Sequence, residues 1–535
     1  MLSADTVVGN SISECLTSLG ASFTQLESAL KKGGELDLAV IVPGEASATE
    51  RSKRLGALRD ALRSLSSRRL DQLILVSSGA IYGPDHHKIG FVSEDAKRRP
   101  AILNHLADWW DEVEAVVRDE TANSDVKLLV IRCPFIVDGN GTSYLDRVFK
   151  RRWLVRYAGF NPPLQFVSVS GLGNAIRHAF EIRLSGTYHL APTDVVPLRA
   201  MLQSKGVRSI GVPRVVQRFL RPILLRFLDG VRTTDEVDYL RYPWTLSGHR
   251  FAAETGLRLS SRQALADSGA EIPDDWPKFD RFGADEAFVR RQGAATFRFA
   301  EKVFWRIESK GFEHIPNTGG AIIVGPHRGF MPLDAVMIFH LIYQYAGRIP
   351  RFLTHPTLFK FPFQAHFFHR MACVMACREN AERVLESGEL LGVYPEGIRG
   401  AFKMYRDAYV FGRFGRADYV HWALRFNVPV IPFAIIGSAE IFPIIGKIKW
   451  GWLKKYFEWP FFPITPTFPL ILLPLPTKWH VKFLPPVHPS DIKKRAKDTG
   501  KDPAALFAES VRTEIDRATQ ELLAQRRSIF WGRIW

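Results

Sequence analysis

Short apolar runs recur along the chain, and what lies between them predicts the elements. The run Leu-Asp-Leu-Ala-Val-Ile-Val around residue 40, Gln-Leu-Ile-Leu-Val at 72–76 and Lys-Leu-Leu-Val-Ile-Arg at 127–132 are separated by helical patterns at 50–66 and 101–119. Strands alternating with helices predict βαβ units and a parallel sheet. A second series begins with Ala321-Ile322-Ile323-Val324-Gly325 and continues with Leu390-Leu391-Gly392-Val393-Tyr394. It ends with Val428-Pro429-Val430-Ile431-Pro432-Phe433-Ala434-Ile435-Ile436-Gly437. Between the two series, 271–293 is rich in charge, Pro and Gly and reads as a linker. The pattern thus divides the chain into an α/β domain over 1–270, a second α/β domain over 294–495 and a helical tail over 496–535.

Length agrees, because 535 residues exceed what one ordinary core organises. Charge adds a direction. Residues 1–300 hold 40 Lys and Arg against 35 Asp and Glu, whereas 301–535 hold 32 against 20. A basic second part beside apolar segments suits an anionic membrane surface or a phosphorylated substrate. No finger, RNP or helix-turn-helix signature points to nucleic acid.

Cys15, Cys133, Cys373 and Cys377 lack the spacing of a zinc site or a disulfide framework, so reduced thiols and a cytoplasmic setting are expected. The first residues lack the pattern of a signal peptide. From Trp459 to Thr477 the chain is uncharged, but its six prolines forbid a spanning helix and favour an apolar loop packed on the core or dipping into an interface. Residues 211–228, with Arg214, Arg218 and Arg221 spaced along one helix face, read as packing within the first domain or as a membrane contact. The aromatic end, Phe530 to Trp535, is a further candidate for lipid contact.

In the first domain, Val76-Ser77-Ser78-Gly79-Ala80-Ile81-Tyr82-Gly83 and Arg132-Cys133-Pro134-Phe135-Ile136-Val137-Asp138-Gly139 resemble strand-end motifs of the extended short-chain dehydrogenases, the NAD-dependent epimerase and dehydratase family. Phe166 to Ser170 and Gly186 to Leu190 fall where that family places substrate-domain strands. The resemblance implies a Rossmann-like fold. It also implies a Gly-rich turn and a Tyr-x-x-x-Lys pair, and neither is present: 6–13 reads Thr-Val-Val-Gly-Asn-Ser-Ile-Ser, and 102–112 holds no Tyr or Lys. A degenerate domain that does not bind NAD(P) is the expectation, with Tyr82 and Ser78 as structural strand-end residues.

In the second domain, His327 follows the end of the first strand and Asp334 lies seven positions on; Glu396-Gly397-Ile398-Arg399 follows the second strand. An imidazole beside a carboxylate can take a proton from a hydroxyl, and an arginine can fork onto a phosphate. The order of these blocks resembles the glycerolipid acyltransferase superfamily, the lysophosphatidic-acid acyltransferase type. The commonest first motif of that family puts four residues between His and Asp, where this chain has Pro332. The form His327-x-Gly329-x-x-Pro332-x-Asp334 is similar to the monoacylglycerol-acyltransferase-like branch. Cys373 to Asn380, with Arg378, is similar to the second motif region, Glu396 to Arg399 to the third, and Val430-Ile431-Pro432 to the fourth.

The resemblance, over about 295–490, implies an O-acyltransferase with His327 and Asp334 catalytic and with Arg328, Gly329, Arg378, Glu396, Gly397 and Arg399 binding substrate. Glu396 would fix Arg399 or a glycerol hydroxyl, and amides near Gly397 would face the oxyanion. The donor would be acyl-CoA or acyl-carrier protein, and the acceptor lysophosphatidic acid or a mono- or diacylglycerol. No other cofactor and no metal would be required. The expected place is the cytoplasmic face of a membrane, held peripherally. Two other readings stand beside it: a bifunctional protein whose first domain still uses NAD(P), and a non-enzymatic membrane scaffold.

Overall fold

The computed structural model describes residues 36–43, 50–66, 70–84, 91–96, 104–137, 152–213, 216, 239–242, 244–271, 280, 282–412, 418–468 and 473–535. The Gly-poor segment 6–13, most of the basic stretch at 211–228 and part of the apolar run at 459–477 lie outside them. Two compact units result: Met1–Ala284 with Phe359–Phe367, and Asp285–Leu358 with Phe368–Trp535.

The first unit is built on a four-stranded parallel sheet: β1 (Leu36–Ile41), β2 (Leu70–Ser78), β3 (Lys127–Cys133) and β4 (Gly186–His189), in that order. Helices α1 (Arg51–Ser66), α2 (His105–Thr121) and α3 (Val169–Glu181) connect them. Strand interiors such as Leu73 to Val76 and Leu129 to Ile131 are buried throughout, as a parallel sheet covered on both faces requires. One expectation changes here: Gly186 to His189 pairs with β3 in the main sheet, because its Tyr188 and His189 are buried against it.

The second unit opens on α4 (Glu286–Gln292), which begins inside the expected linker. Asp285 caps it, its carboxylate accepting from the Phe288 amide at 2.9 Å. The linker composition hid a helix, since its charges lie on exposed positions. The unit's strands are β5 (Glu308–Lys310), β6 (Ala321–Val324), β7 (Pro350–Thr354), β8 (Val374–Met375), β9 (Leu390–Val393), β10 (Val430–Ile436), β13 (His480–Phe483) and the outlying hairpin pair β11 (Gly446–Ile448) and β12 (Phe462–Ile464). Its seven-stranded sheet runs β5-β13-β10-β6-β9-β7-β8. The stretch from β10 to β8 is parallel, and β13 turns antiparallel against β10.

Its helices are α5 (Leu333–Ala346), α6 (Arg378–Glu386), α7 (Gly397–Ala401), α8 (Asp418–Phe426), α9 (Gly451–Phe457), α10 (Pro489–Thr499) and α11 (Pro503–Gln525). The last was expected as a tail and is a core element. Phe507, Val511, Ile515, Ala518 and Leu522 are buried, and the helix packs on β10. Periodicity shows that α11 has an apolar face but not what that face covers. No helix among the described residues is long and apolar enough to cross a membrane.

Candidate active site

β6 is the fourth and central strand of the seven-stranded sheet, flanked by its parallel neighbours β10 and β9. Every residue of Ala321–Val324 is buried, so the first polar side chains available to chemistry come where the strand ends. Gly325 lies there against the Phe433 ring, and a Cβ at this position would sit 2.2 Å from Phe433 Cζ. Only glycine lets the chain pass. Gly329, with φ +86°, makes the turn that sends the chain back toward α5. Its task in this turn is conformational.

That turn brings His327 onto Asp334 in the first turn of α5. Nδ1 of His327 lies 2.8 Å from Asp334 Oδ2. The same carboxylate accepts from the amides of Arg328 at 2.7 Å and Ala335 at 2.7 Å, and its side chain is fully buried. A carboxylate already placed to accept two amide N–H groups is the acceptor for an Nδ1–H, the tautomer that leaves the Nε2 lone pair open. The imidazole is 16% exposed, and Nε2 has no hydrogen bond among the described residues. Tyr394, at the end of β9, lies 4.8 Å from the imidazole ring centre to centre and fixes its plane. Burial, reinforced by the Asp334 charge, lifts the Tyr394 phenol well above its ordinary range and keeps it neutral.

Beneath this pair is a buried ionic knot. Arg328 Nη1 donates to Glu396 Oε2 and to the His327 carbonyl at 3.0 Å, and the guanidinium lies 5.0 Å from the centre of the Phe411 ring. Lys403 Nζ donates to the other Glu396 oxygen, which also accepts from the Gly412 amide at 3.2 Å. Burial pushes the Glu396 carboxyl up, but the charges of Arg328 and Lys403 overcome it and hold the group below the usual carboxylate range. Glu396 thus ties the loop after β6 to the loop after β9 and to 403–412.

Several expected roles change. Glu396 holds Arg328 and Lys403, not Arg399. Arg328 is buried in that knot and is not placed to fork onto a phosphate. The Gly397 amide donates to the Tyr394 carbonyl at 2.9 Å and is spent on the turn. Arg378 starts α6 after β8, three strands from β6, which at the usual strand spacing is about 14 Å. Its side chain is 72% exposed and pairs with Glu382. Arg399 remains exposed on α7 without a side-chain partner among the described residues. Lys403 and Tyr394 are neighbours to which motif reading gave no role; both lie within or just after the Glu396 block, with Lys403 seven residues beyond Glu396.

In the first unit, Ser78 caps the turn at Gly79–Tyr82, accepting from Ala80 N at 3.1 Å. The Tyr82 hydroxyl is buried between His189 Nε2 at 2.8 Å and the Arg132 guanidinium. Burial, against the lowering effect of Arg132, pushes its phenol up to about 12. The window 102–112 is largely the start of α2, with Trp109 and Trp110 buried in the core. The Tyr and Lys of a nicotinamide site are absent from that window. The thiols of Cys133, Cys373 and Cys377 are free, and burial pushes each up to about 12.

The second unit thus sets an Asp-held histidine at the end of the sheet's central strand, with a Pro-Glu-Gly turn after the neighbouring strand. Residues 306–436 match the Acyltransferase family, and the chain belongs to it. An uncharacterised protein of Mycobacterium tuberculosis (strain ATCC 25618 / H37Rv) is 38% identical over 261 residues, covering 47% of this chain and 72% of that protein. The human protein named DGAT1/2-independent enzyme synthesizing storage lipids is 30% identical over 186 residues, 34% of this chain and 56% of that enzyme. A crystal structure of a human epimerase family protein with NADPH aligns at 16% identity and a TM-score of 0.38, covering 50% of this chain and 96% of that one.

Proposed function

We propose that the second unit transfers a fatty acyl group from a thioester donor, acyl-CoA or acyl-carrier protein, to a hydroxyl of a glycerolipid, with His327 as general base. The observation that carries this is the single open atom of a fully restrained pair: Nδ1 bound to buried Asp334, and Nε2 unbonded at the rim. Nε2 takes the proton of the acceptor hydroxyl as its oxygen attacks the thioester carbonyl. Asp334 stabilises the imidazolium that forms. The C–S bond then breaks, and the imidazolium returns the proton to the leaving thiolate.

Of the three arginines expected at a phosphate, Arg328 is paired and buried, and Arg378 is distant and paired. Only Arg399 among them remains unpaired. This favours a neutral mono- or diacylglycerol over lysophosphatidic acid, and the storage-lipid name of the human relative points the same way. The basic second part of the chain supports work at an anionic lipid surface. Thiol release from acyl-CoA across a panel of monoacylglycerol, diacylglycerol and lysophosphatidic acid tests the reading. A His327→Ala protein that turns over at the wild-type rate would overturn it.

The first unit, with Tyr82 spent on Arg132 and His189, we read as a non-catalytic companion. Saturable NAD(P)H binding by fluorescence titration would revive the bifunctional alternative.

A further inference from the structure

Between the end of β10 and the start of β13 the chain makes an excursion that the proposed reaction does not use. β11 and β12 pair antiparallel, with Gly446 opposite Ile464 and Ile448 opposite Phe462, and α9 bridges them. The excursion is anchored from below by buried Ile444 and Leu453. Its outer side is the reverse of a soluble surface: Trp450 is 45% exposed, Trp452 50% and Phe468 55%, with Ile445 exposed beside them. Scattered apolar side chains are ordinary on any surface, but clustered tryptophans are not. Here Trp450 stacks on Trp452 at 6.0 Å and packs on Phe462 at 5.6 Å.

The charges around these rings have one sign. Lys447, Lys449 and Lys454 are exposed on the same excursion. Residues 445–468 hold four lysines and a single acid, Glu458, which faces His355 Nε2 at 3.7 Å. Tryptophan at a polar boundary with lysine around it is the composition of a segment lying in the headgroup layer of an anionic bilayer. A protein partner would have to bury three lysines and two tryptophans together, which the lipid interface accommodates without desolvating the ammonium groups.

The rings also lead inward. Trp452 contacts Phe457 at 5.8 Å, Phe457 contacts Trp459 at 5.8 Å, and Trp459 contacts Phe330 at 5.7 Å. Phe330 is three residues from His327 and is also packed on Phe442 at 5.1 Å. An apolar track therefore joins the exposed tryptophans to the loop bearing the imidazole.

We propose that the excursion at 445–468 is the element by which this protein docks on an anionic phospholipid bilayer, with Trp450 and Trp452 seated among the headgroups and Lys447, Lys449 and Lys454 over the lipid phosphates. The proposal rests on the lipid acyltransferase reading for its choice of a bilayer over other apolar partners. It narrows the expected lipid-contacting loop at 459–477 to its first part and adds the tryptophans before it.

Sedimentation of the full chain with vesicles of phosphatidylcholine alone, and of phosphatidylcholine with phosphatidylglycerol at 3:1, tests it. A Trp450→Ser/Trp452→Ser protein is expected to lose about tenfold or more of its partition onto both vesicles. A Lys449→Glu/Lys454→Glu protein, altered at two exposed positions, is expected to lose about tenfold or more on the anionic vesicles and little on the neutral ones. If either variant melts early, the other still decides. Wild-type partition in both variants would overturn the docking surface, while leaving acyl transfer intact. Conversely, a His327→Ala protein is expected to bind vesicles as wild type does. If it also turned over as wild type does, the catalytic reading would fall and the docking surface would stand.

Discussion

Both units bring a histidine, an arginine and a carboxylate together beside their parallel strands, and the two clusters have opposite characters. In the first, Glu114 accepts from Arg132 Nε and Nη2 at 2.8 Å each and from Ser77 at 2.7 Å, Arg132 reaches Tyr82, and Tyr82 reaches His189. Glu114 and His189 are fully buried. In the second, Asp334 and Glu396 are equally enclosed, but the imidazole they support stays partly open and its Nε2 is unbonded. Polar residues at a strand end are thus not enough for chemistry. A network closed inside the core is a girder, and one that leaves an imidazole nitrogen at the surface is a reagent.

The largest expected effect is His327→Ala, which removes that atom. Acyl transfer falls by about 10²- to 10⁴-fold in kcat/KM with the melting temperature nearly unchanged. Mutating the girder gives the converse. Glu114→Leu leaves Arg132 buried without its carboxylate and costs about 3–5 kcal/mol by denaturant unfolding, while thiol release per folded enzyme holds. A fall in turnover beyond the loss of folded protein would show that the two units are catalytically coupled.

Asp334→Asn keeps the shape but no longer stabilises the imidazolium, and a drop of roughly 10²- to 10³-fold in kcat is expected. Acid titration comes next. Glu114 and Glu396 are pushed up by burial yet held, on balance, below the ordinary carboxylate range by their cations. A carboxyl with a depressed folded pKa contributes its stability above the unfolded pKa and loses it as pH falls through the folded value. Both units should therefore weaken below the ordinary carboxylate range, and Glu114→Gln should flatten that acid limb. The smallest effect is Tyr82→Phe, about 1–3 kcal/mol from two buried partners left short, again without change in turnover.

The α/β class and the principal strands were legible in the sequence, because parallel strands buried on both faces are continuous apolar runs. The His327–Asp334 contact was legible for a similar reason. Both residues lie on one turn of chain between a strand and a helix, so local geometry sets their distance. What escaped was set by register between distant segments. Arg328 and Glu396 are 68 residues apart, and only the pairing of Val324 with Val393 brings their loops together. For the same reason Arg378, which motif order placed at the site, lies on the far edge of the sheet.

The burial of α11 against β10 makes the enzyme's assembly depend on the direction of synthesis. β10 is the immediate neighbour of β6, so the strand that presents His327 is backed by one whose cover is made some seventy residues later. A chain halted at residue 500 would contain each of the four sequence blocks and yet lack the helix that closes the sheet behind them. During translation the four blocks are thus complete before residues 503–525, which cover β10, have been made.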